Sequence, residues 1–403
     1  MIPRQEYLEN LIRFREKRLI KVVTGIRRCG KSTLFELYQD YLLHNGVKKE
    51  QIISVNLEDG SYDDIEENRA LYALVNSRLL PEEMNYIFLD EVQRVRDFQK
   101  AVDALYIKKN CDVYITGSNA YLLSGELATL LSGRYVEIKM LPLSFKEYVS
   151  ARSGGMGKDG AGMEHLYQDY IHNSSFPYAM ELDAPKDIRQ YLDGIYNSII
   201  VKDIITRKRI NDVEMLKSTA RFLFDNIGNM VSSKKIADTM TSAGRKISVH
   251  TVENYLEALT ESFIFYQAGR YDVKGKQYLK TGDKFYAADL GLRYFVLGNK
   301  PTDRGHILEN VIYLELIRRG YEVHVGKVGT AEVDFIAIGN EGEEYYQVAY
   351  TVMDADGKTL ERELAPLDAI SDHNPKYLLT MDYGPLISHN GIRQIYALDW
   401  LLK

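Results

Sequence analysis

"VVTGIRRCGKSTLF", residues 22–35, decides how the chain is read. Apolar β-branched residues lead into Gly25, a second glycine follows at Gly30, and Lys31, Ser32 and Thr33 open a segment with helical spacing. The run fits G-x-x-x-x-G-K-[ST] without a gap, and the chemistry of phosphate binding explains each part. Glycines let successive backbone N–H groups turn inward around an anion. The lysine carries charge to the terminal phosphates and the serine hydroxyl suits Mg²⁺. A helix starting near Lys31 adds the positive end of its dipole. The competing reading is a ligand-free turn between a strand and a helix. On the first reading Gly25, Ile26, Arg27, Arg28, Cys29, Gly30, Lys31, Ser32 and Thr33 are the candidate nucleotide-binding residues.

Such a loop needs partners further along, and three stretches supply them. "YIFLDEVQ" (86–93) reads as a buried strand delivering Asp90 and Glu91 at its C-terminal edge, where open α/β sheets bind ligands. Asp90 joins Ser32 as a candidate Mg²⁺ residue, and Glu91 is placed to orient and polarise an attacking water. "VYITGSNA" (113–120) is another buried strand with Thr116, Ser118 and Asn119 at its exit. Asn119 is the candidate that senses the γ-phosphate, with plain turn chemistry as the alternative. "ELATLLSGR" (126–134) ends on Arg134. That arginine could reach a neighbouring subunit's nucleotide, or favour its own helix dipole.

Around these motifs, strand-like segments ("LIKVVTG", "IISVNLE", "NYIFLDE", "DVYITGS", "RYVEIKML") alternate with helical ones over residues 1–150. Alternation predicts a parallel sheet covered on both faces. The glycine-rich "ARSGGMGKDGAG" (151–162) breaks the pattern as a boundary. Residues 163–212 read as a helical connector, 213–296 as helix, helix, helix and hairpin in the order of a winged helix, and 303–403 as a further α/β segment. The fold class is therefore α/β with a helical middle.

The motifs together, with "TGSNAYLLSGELATLLSGR" and "LPLSFKEY" following in order, resemble the bacterial and archaeal AAA+ ATPases that carry a C-terminal domain of unknown function. The resemblance extends through "VKDIITRKRI" to "LENVIYLEL", "EVDFIA" and "YQVAY". It implies ATP with Mg²⁺ as ligand, a winged helix, and a tail of restriction-endonuclease-like fold. Active nucleases of that fold need an acidic helix residue, an Asp, and (Asp/Glu)-x-Lys on the next strand, which together hold Mg²⁺ and activate water. Glu309 and Asp334 occupy such positions, with Glu332 nearby. The third element reads Gln347-Val348-Ala349, so the tail is expected to be a degenerate nuclease site.

In the winged-helix segment, Lys246, His250, Thr251 and Asn254 are available to a groove, and Lys274, Lys276, Lys280 and Lys284 make the hairpin basic. Glu253, Glu257 and Glu261 share the helix and would repel DNA. DNA, a protein partner and a second copy of the chain all stand open as partners.

Bulk composition narrows the remaining classes. The 403 residues are 45% hydrophobic and 27% charged, as in soluble globular proteins, with a net charge of −6 that argues against a nucleic-acid coat. No run of about 18 apolar residues suggests a membrane helix, and no membrane partner is expected. The start lacks the pattern of a secretory signal, and two cysteines make no disulfide framework, so a reducing cytoplasm is expected. Three functions follow: an ATP-hydrolysing switch, an ATP-regulated Mg²⁺-dependent DNA nuclease, or a DNA-binding regulator using ATP to oligomerise.

Overall fold

A computed structural model describes residues 2–123, 131–152, 160–298, 303–354 and 356–403. Most of the glycine-rich stretch 151–162 and residues 126–130 ahead of Arg134 lie outside the described residues. The chain divides into two compact units: Met1–Pro142 with Glu261–Phe263, and Leu143–Thr260 with Ile264–Lys403.

The first unit opens with α1 (Gln5–Arg13) and is built on five parallel strands: β1 (Ile20–Thr24), β2 (Ile52–Asn56), β3 (Asn85–Asp90), β4 (Cys111–Gly117) and β5 (Tyr135–Lys139). Their order in the sheet is β2-β3-β4-β1-β5. Side chains alternate across a strand, and here the two faces differ in chemistry. One face is aliphatic: Val22, Val55, Ile87, Leu89 and Ile115 pack with α3 (Asn68–Asn76) and α4 (Phe98–Ile107) in one core. The other is aromatic: Phe88 and Tyr114 stack at 4.8 Å between centroids. Phe35 and Tyr38 of α2 (Lys31–His44) cover them edge-on. Burial on both faces explains why β1 and β3 read as near-continuous apolar runs.

The chain reverses order at β1 and β4, so α2 and the β3 exit meet at the carboxyl edge of the sheet. Glycine is obligatory at one point there. A Cβ on Gly25 would lie 2.1 Å from the Met140 carbonyl oxygen, because the chain leaving β5 passes against the loop.

In the second unit, helices α5 (Phe145–Arg152), α6 (Gly160–Asn173) and α7 (Pro185–Ser198) come first. A π-helical stretch, Ile199–Ile205, continues α7. Then follow α8 (Val213–Asp225), β6 (Met230–Val231), α9 (Ser233–Ser242), α10 (Val249–Glu261), β7 (Phe265–Asp272) and β8 (Gln277–Ala287). Ser232 caps α9 through its side chain, which accepts from the Lys235 N–H.

After α11 (Leu290–Leu297) come α12 (Arg304–Arg318), β9 (Glu322–Val328), β10 (Ala331–Gly339), β11 (Gly342–Ala349), α13 (Lys358–Asp368) and β12 (Lys376–Thr380). β13 (Ile387–His389), β14 (Ile392–Tyr396) and α14 (Ala397–Leu401) close the chain. β9, β10 and β11 pair antiparallel, and β12 lies parallel to β11 after the α13 crossover.

The hairpin departs from the sequence reading. β7 pairs parallel to β9 (Arg270↔Val325, Tyr271↔Gly326), and one nine-stranded sheet runs β13-β14-β12-β11-β10-β9-β7-β8-β6. Strands from 213–296 and from 303–403 thus share hydrogen bonds. Lys284, counted above among basic residues open to phosphate, is 3% exposed. It sits two residues from buried Tyr286 on the same face of β8, under α12. Lys274 and Lys276, at the turn, are exposed; the side chain of Lys280 lies outside the described ones.

Candidate functional site

At the carboxyl edge of the first sheet, Gly30 adopts a left-handed conformation (φ 104°) immediately before α2. Among the described residues no side chain caps that helix, and its first turn holds no acid. The first-turn N–H groups of α2 are therefore offered to an outside acceptor. Arg28, exposed at the loop apex, also has positive φ (69°). Arg27 instead turns to Glu58, 2.8 Å away. Ile26 and Cys29 are buried, Thr33 is half-buried and Ser32 is exposed.

Lys31 is the hub. Its Nζ donates to the Gly25 carbonyl at 3.0 Å, to the Ile26 carbonyl at 3.3 Å and to Ser118 Oγ at 2.9 Å. Glu91 lies 3.5 Å away. Ser118 in turn donates to Glu91 Oε1, and the Gln93 amide donates to Oε2. Glu91 itself sits at φ 52°, a conformation costing a non-glycine residue roughly 1–2 kcal/mol, so its surroundings hold it there. Burial is the largest influence on its carboxyl and would raise it. Lys31, Ser118, Arg27 and Gln93 together outweigh burial and hold it below the usual range.

Asp90 contrasts with its neighbour. Thr116 donates its hydroxyl to Asp90 Oδ1 and accepts from the Glu91 N–H at 2.8 Å. Burial pushes the Asp90 carboxyl up, against the pull of the Ser32 and Thr116 hydroxyls. A buried carboxylate short of positive charge, beside two hydroxyls, is a hard-oxygen donor set that fits Mg²⁺.

Two sequence candidates fall elsewhere. Asn119 is buried, but its Oδ1 accepts from the Leu122 N–H at 3.2 Å, capping the turn after β4. Arg134 precedes β5 at the opposite edge of the sheet, paired with Asp103 and 5.7 Å from the Tyr106 ring centre. Sequence reasoning missed Gln93 and Arg4. Arg4 is 2% exposed and donates to the Cys29 carbonyl at 2.9 Å and the Leu141 carbonyl at 2.7 Å, tying the loop to the chain leaving β5. Nothing in "MIPR" announces that.

In the second unit Glu309, Asp334 and Gln347 do come together, around a cavity of about 590 Å³. Lys284 Nζ is 2.7 Å from Glu332, 2.9 Å from Glu309 and 3.6 Å from Asp334. Burial would lower the Lys284 ammonium, but those carboxylates outweigh it and hold it above the usual lysine range. Burial, with Glu309 adding, pushes Asp334 up to about 8. The groove candidates Lys246, His250 and Asn254 are exposed on α10 or just before it, interleaved with exposed Glu253 and Glu257.

Comparison with known proteins agrees with the first sheet. The AAA domain family matches residues 17–149, and a domain of unknown function matches residues 164–303. An uncharacterized protein of Haemophilus influenzae is 41% identical over 404 residues, covering 100% of this chain and 99% of its own length. One from Methanocaldococcus jannaschii is 31% identical over 368 residues, covering 88% of this chain and 79% of its own. A Walker-type ATPase of Pyrococcus abyssi shares the fold at 16% identity and TM-score 0.51, over 73% of this chain and 96% of that one. With a P-loop on a five-stranded parallel sheet and a 41% identical relative matched end to end, the chain belongs to the family of these bacterial and archaeal proteins, and its residues 17–149 are an AAA domain.

Proposed function

We propose that the first unit binds and hydrolyses ATP with Mg²⁺ and that the chain works as a nucleotide-driven switch. The observation carrying this is the line Lys31–Ser118–Glu91 beside the uncapped start of α2. Lys31's ammonium donates mainly to neutral acceptors, which a triphosphate can replace at little cost. Ser32 and Asp90 would hold Mg²⁺, which when bound neutralises charge on the transferring phosphoryl group. Glu91, kept ionised, orients the attacking water and accepts its proton.

Arg134 is proposed to act on a neighbouring copy's nucleotide, since its place at the far edge of the sheet keeps it from its own. Unchanged turnover in Arg134→Ala would retire that role.

The second unit is proposed to contact the switch's partner. Its order of α8, β6, α9, α10 and the β7–β8 hairpin, with β6 pairing β8, supports a winged-helix reading. Mixed charge on α10 favours a protein surface over duplex DNA, because Glu253 and Glu257 would face phosphates. The restriction-endonuclease-like reading of the tail draws support from α12, three antiparallel strands, a crossover helix and a parallel strand. The nuclease and DNA-binding-regulator alternatives have less behind them.

The test is ATP binding and turnover by the full chain and by Glu91→Gln. The variant should bind ATP normally and turn over about 10²- to 10⁴-fold more slowly. Normal hydrolysis by Glu91→Gln would remove the base assignment, and no ATP binding by the unmodified chain would remove the function.

A further inference from the structure

The order α12-β9-β10-β11-α13-β12 suggests a fold whose active members hold a divalent cation among carboxylates, here Glu309, Asp334 and position 347. The residues present do not fit one. Lys284 Nζ already lies 2.9 Å from Glu309 Oε1, 2.7 Å from Glu332 Oε1 and 3.6 Å from Asp334 Oδ1. Those are the oxygens a metal would need, at roughly 2.0–2.6 Å. A metal bound to them would stand within a few ångströms of a buried ammonium, and two cations that close repel strongly where water is scarce.

Further protein groups bond the same side chains. Tyr286 donates its hydroxyl to Glu309 Oε1 at 2.7 Å, and the Val348 N–H donates to Asp334 Oδ2 at 2.9 Å. Gln347 Oε1 accepts from the Asp334 N–H at 3.3 Å, and its Nε2 donates to Glu363 at 2.8 Å. Glu309, Glu332 and Asp334 therefore each already face a protein donor through at least one oxygen.

We propose that the Lys284 ammonium is the resident cation of this cluster, standing where a metal-dependent nuclease keeps its metal. The carboxylates then fasten α12 and β10 to β8 and take up a divalent cation only when Lys284 is removed. The ligand of that latent site is a small hard cation, Mg²⁺ or Mn²⁺.

The test is Mn²⁺ binding, followed by electron paramagnetic resonance on the nucleotide-free full chain carrying Asp90→Asn to silence the loop site. Chains with Lys284 should show the same bound Mn²⁺ with or without Asp334→Asn. Lys284→Ala should gain one Mn²⁺ per chain, lost again on adding Asp334→Asn. Mn²⁺ held by the Lys284 chain and lost with Asp334→Asn overturns the proposal, as does a folded Lys284→Ala that gains none. Should Lys284→Ala fail to fold, the pair with and without Asp334→Asn decides alone: equal binding supports the proposal and a loss overturns it.

Discussion

Lys31 and Lys284 are both buried lysines beside carboxylates, at 5% and 3% exposure, and their surroundings make them opposites. Lys31 gives its hydrogen bonds to two backbone carbonyls and a hydroxyl, with its carboxylate 3.5 Å off. Lys284 has the Glu332 and Glu309 carboxylates at 2.7 and 2.9 Å and the Asp334 carboxyl at 3.6 Å. A cation with neutral partners keeps most of its field for an arriving anion, whereas one held between two anions has already spent it. Burial of a lysine therefore does not identify a functional site; the charge of its acceptors does.

Removing Lys284 should have the largest effect. Breaking a buried ion cluster from one side leaves uncompensated charge and costs about 3–5 kcal/mol. Lys284→Ala should lose that much in denaturant-induced unfolding of the second unit. A loss below about 1 kcal/mol would put Lys284 in the same class as Lys31 and dissolve the contrast.

Lys31→Ala should leave folding nearly intact and cost about 3 kcal/mol of ATP affinity, roughly a hundredfold, since a hydrogen bond to a charged group is lost. Calorimetry on the variant measures it. Unaltered ATP affinity, or a large loss of stability, would make Lys31 a lock as well.

The two lysines were not equally legible in the sequence. Lys31 lies in a motif whose spacing is set by the phosphate it serves, so position alone carries its role. The three inner strands were legible for the same local reason: Val22, Ile87 and Ile115 sit in runs buried on both faces. Lys284 gave no such sign, because its partners Glu309, Glu332 and Asp334 lie 25 to 50 positions on and meet it only through the β7–β9 pairing. Register between distant strands has no local signature. Lys284 read as exposed along with Lys274 and Lys276 because charge usually is; those two are, and the sheet buries Lys284. The same holds at the β4 exit, where Ser118 and Asn119 are adjacent and only the twist of the chain decides which one meets Glu91.

Acidity offers a finer probe of the Lys284 cluster. Burial pushes Asp334 up to about 8, Glu309 adds to it, and Lys284 opposes it. An unfolded aspartate titrates near about 3.9. Between those values the folded chain holds a proton that the unfolded chain has released. Stability therefore falls as pH rises from about 4 towards about 8, and levels off above. Asp334→Asn should unfold with a flatter pH dependence across that window, by a margin smaller than the Lys284→Ala loss. Identical slopes would mean that Asp334 is ionised throughout and that Lys284 is fully paired with it.

The smallest expected effect separates Ser118 from Asn119. Ser118 links the two ends of the site, accepting from Lys31 at 2.9 Å and donating to Glu91. Without that hydroxyl Glu91 keeps Gln93 and Lys31, so Ser118→Ala should slow turnover about tenfold, the worth of one hydrogen bond of about 1.4 kcal/mol. The donor also helps hold the Glu91 carboxyl below its usual range. Its loss should let that carboxyl rise and move the acid limb of the turnover profile to higher pH. Asn119 acts on the turn instead, through Leu122, so Asn119→Ala should cost about 1 kcal/mol of stability and leave the acid limb in place. If the limb moves with Asn119→Ala and stays with Ser118→Ala, the sensor is Asn119, and the bond between Ser118 and Glu91 has no part in turnover.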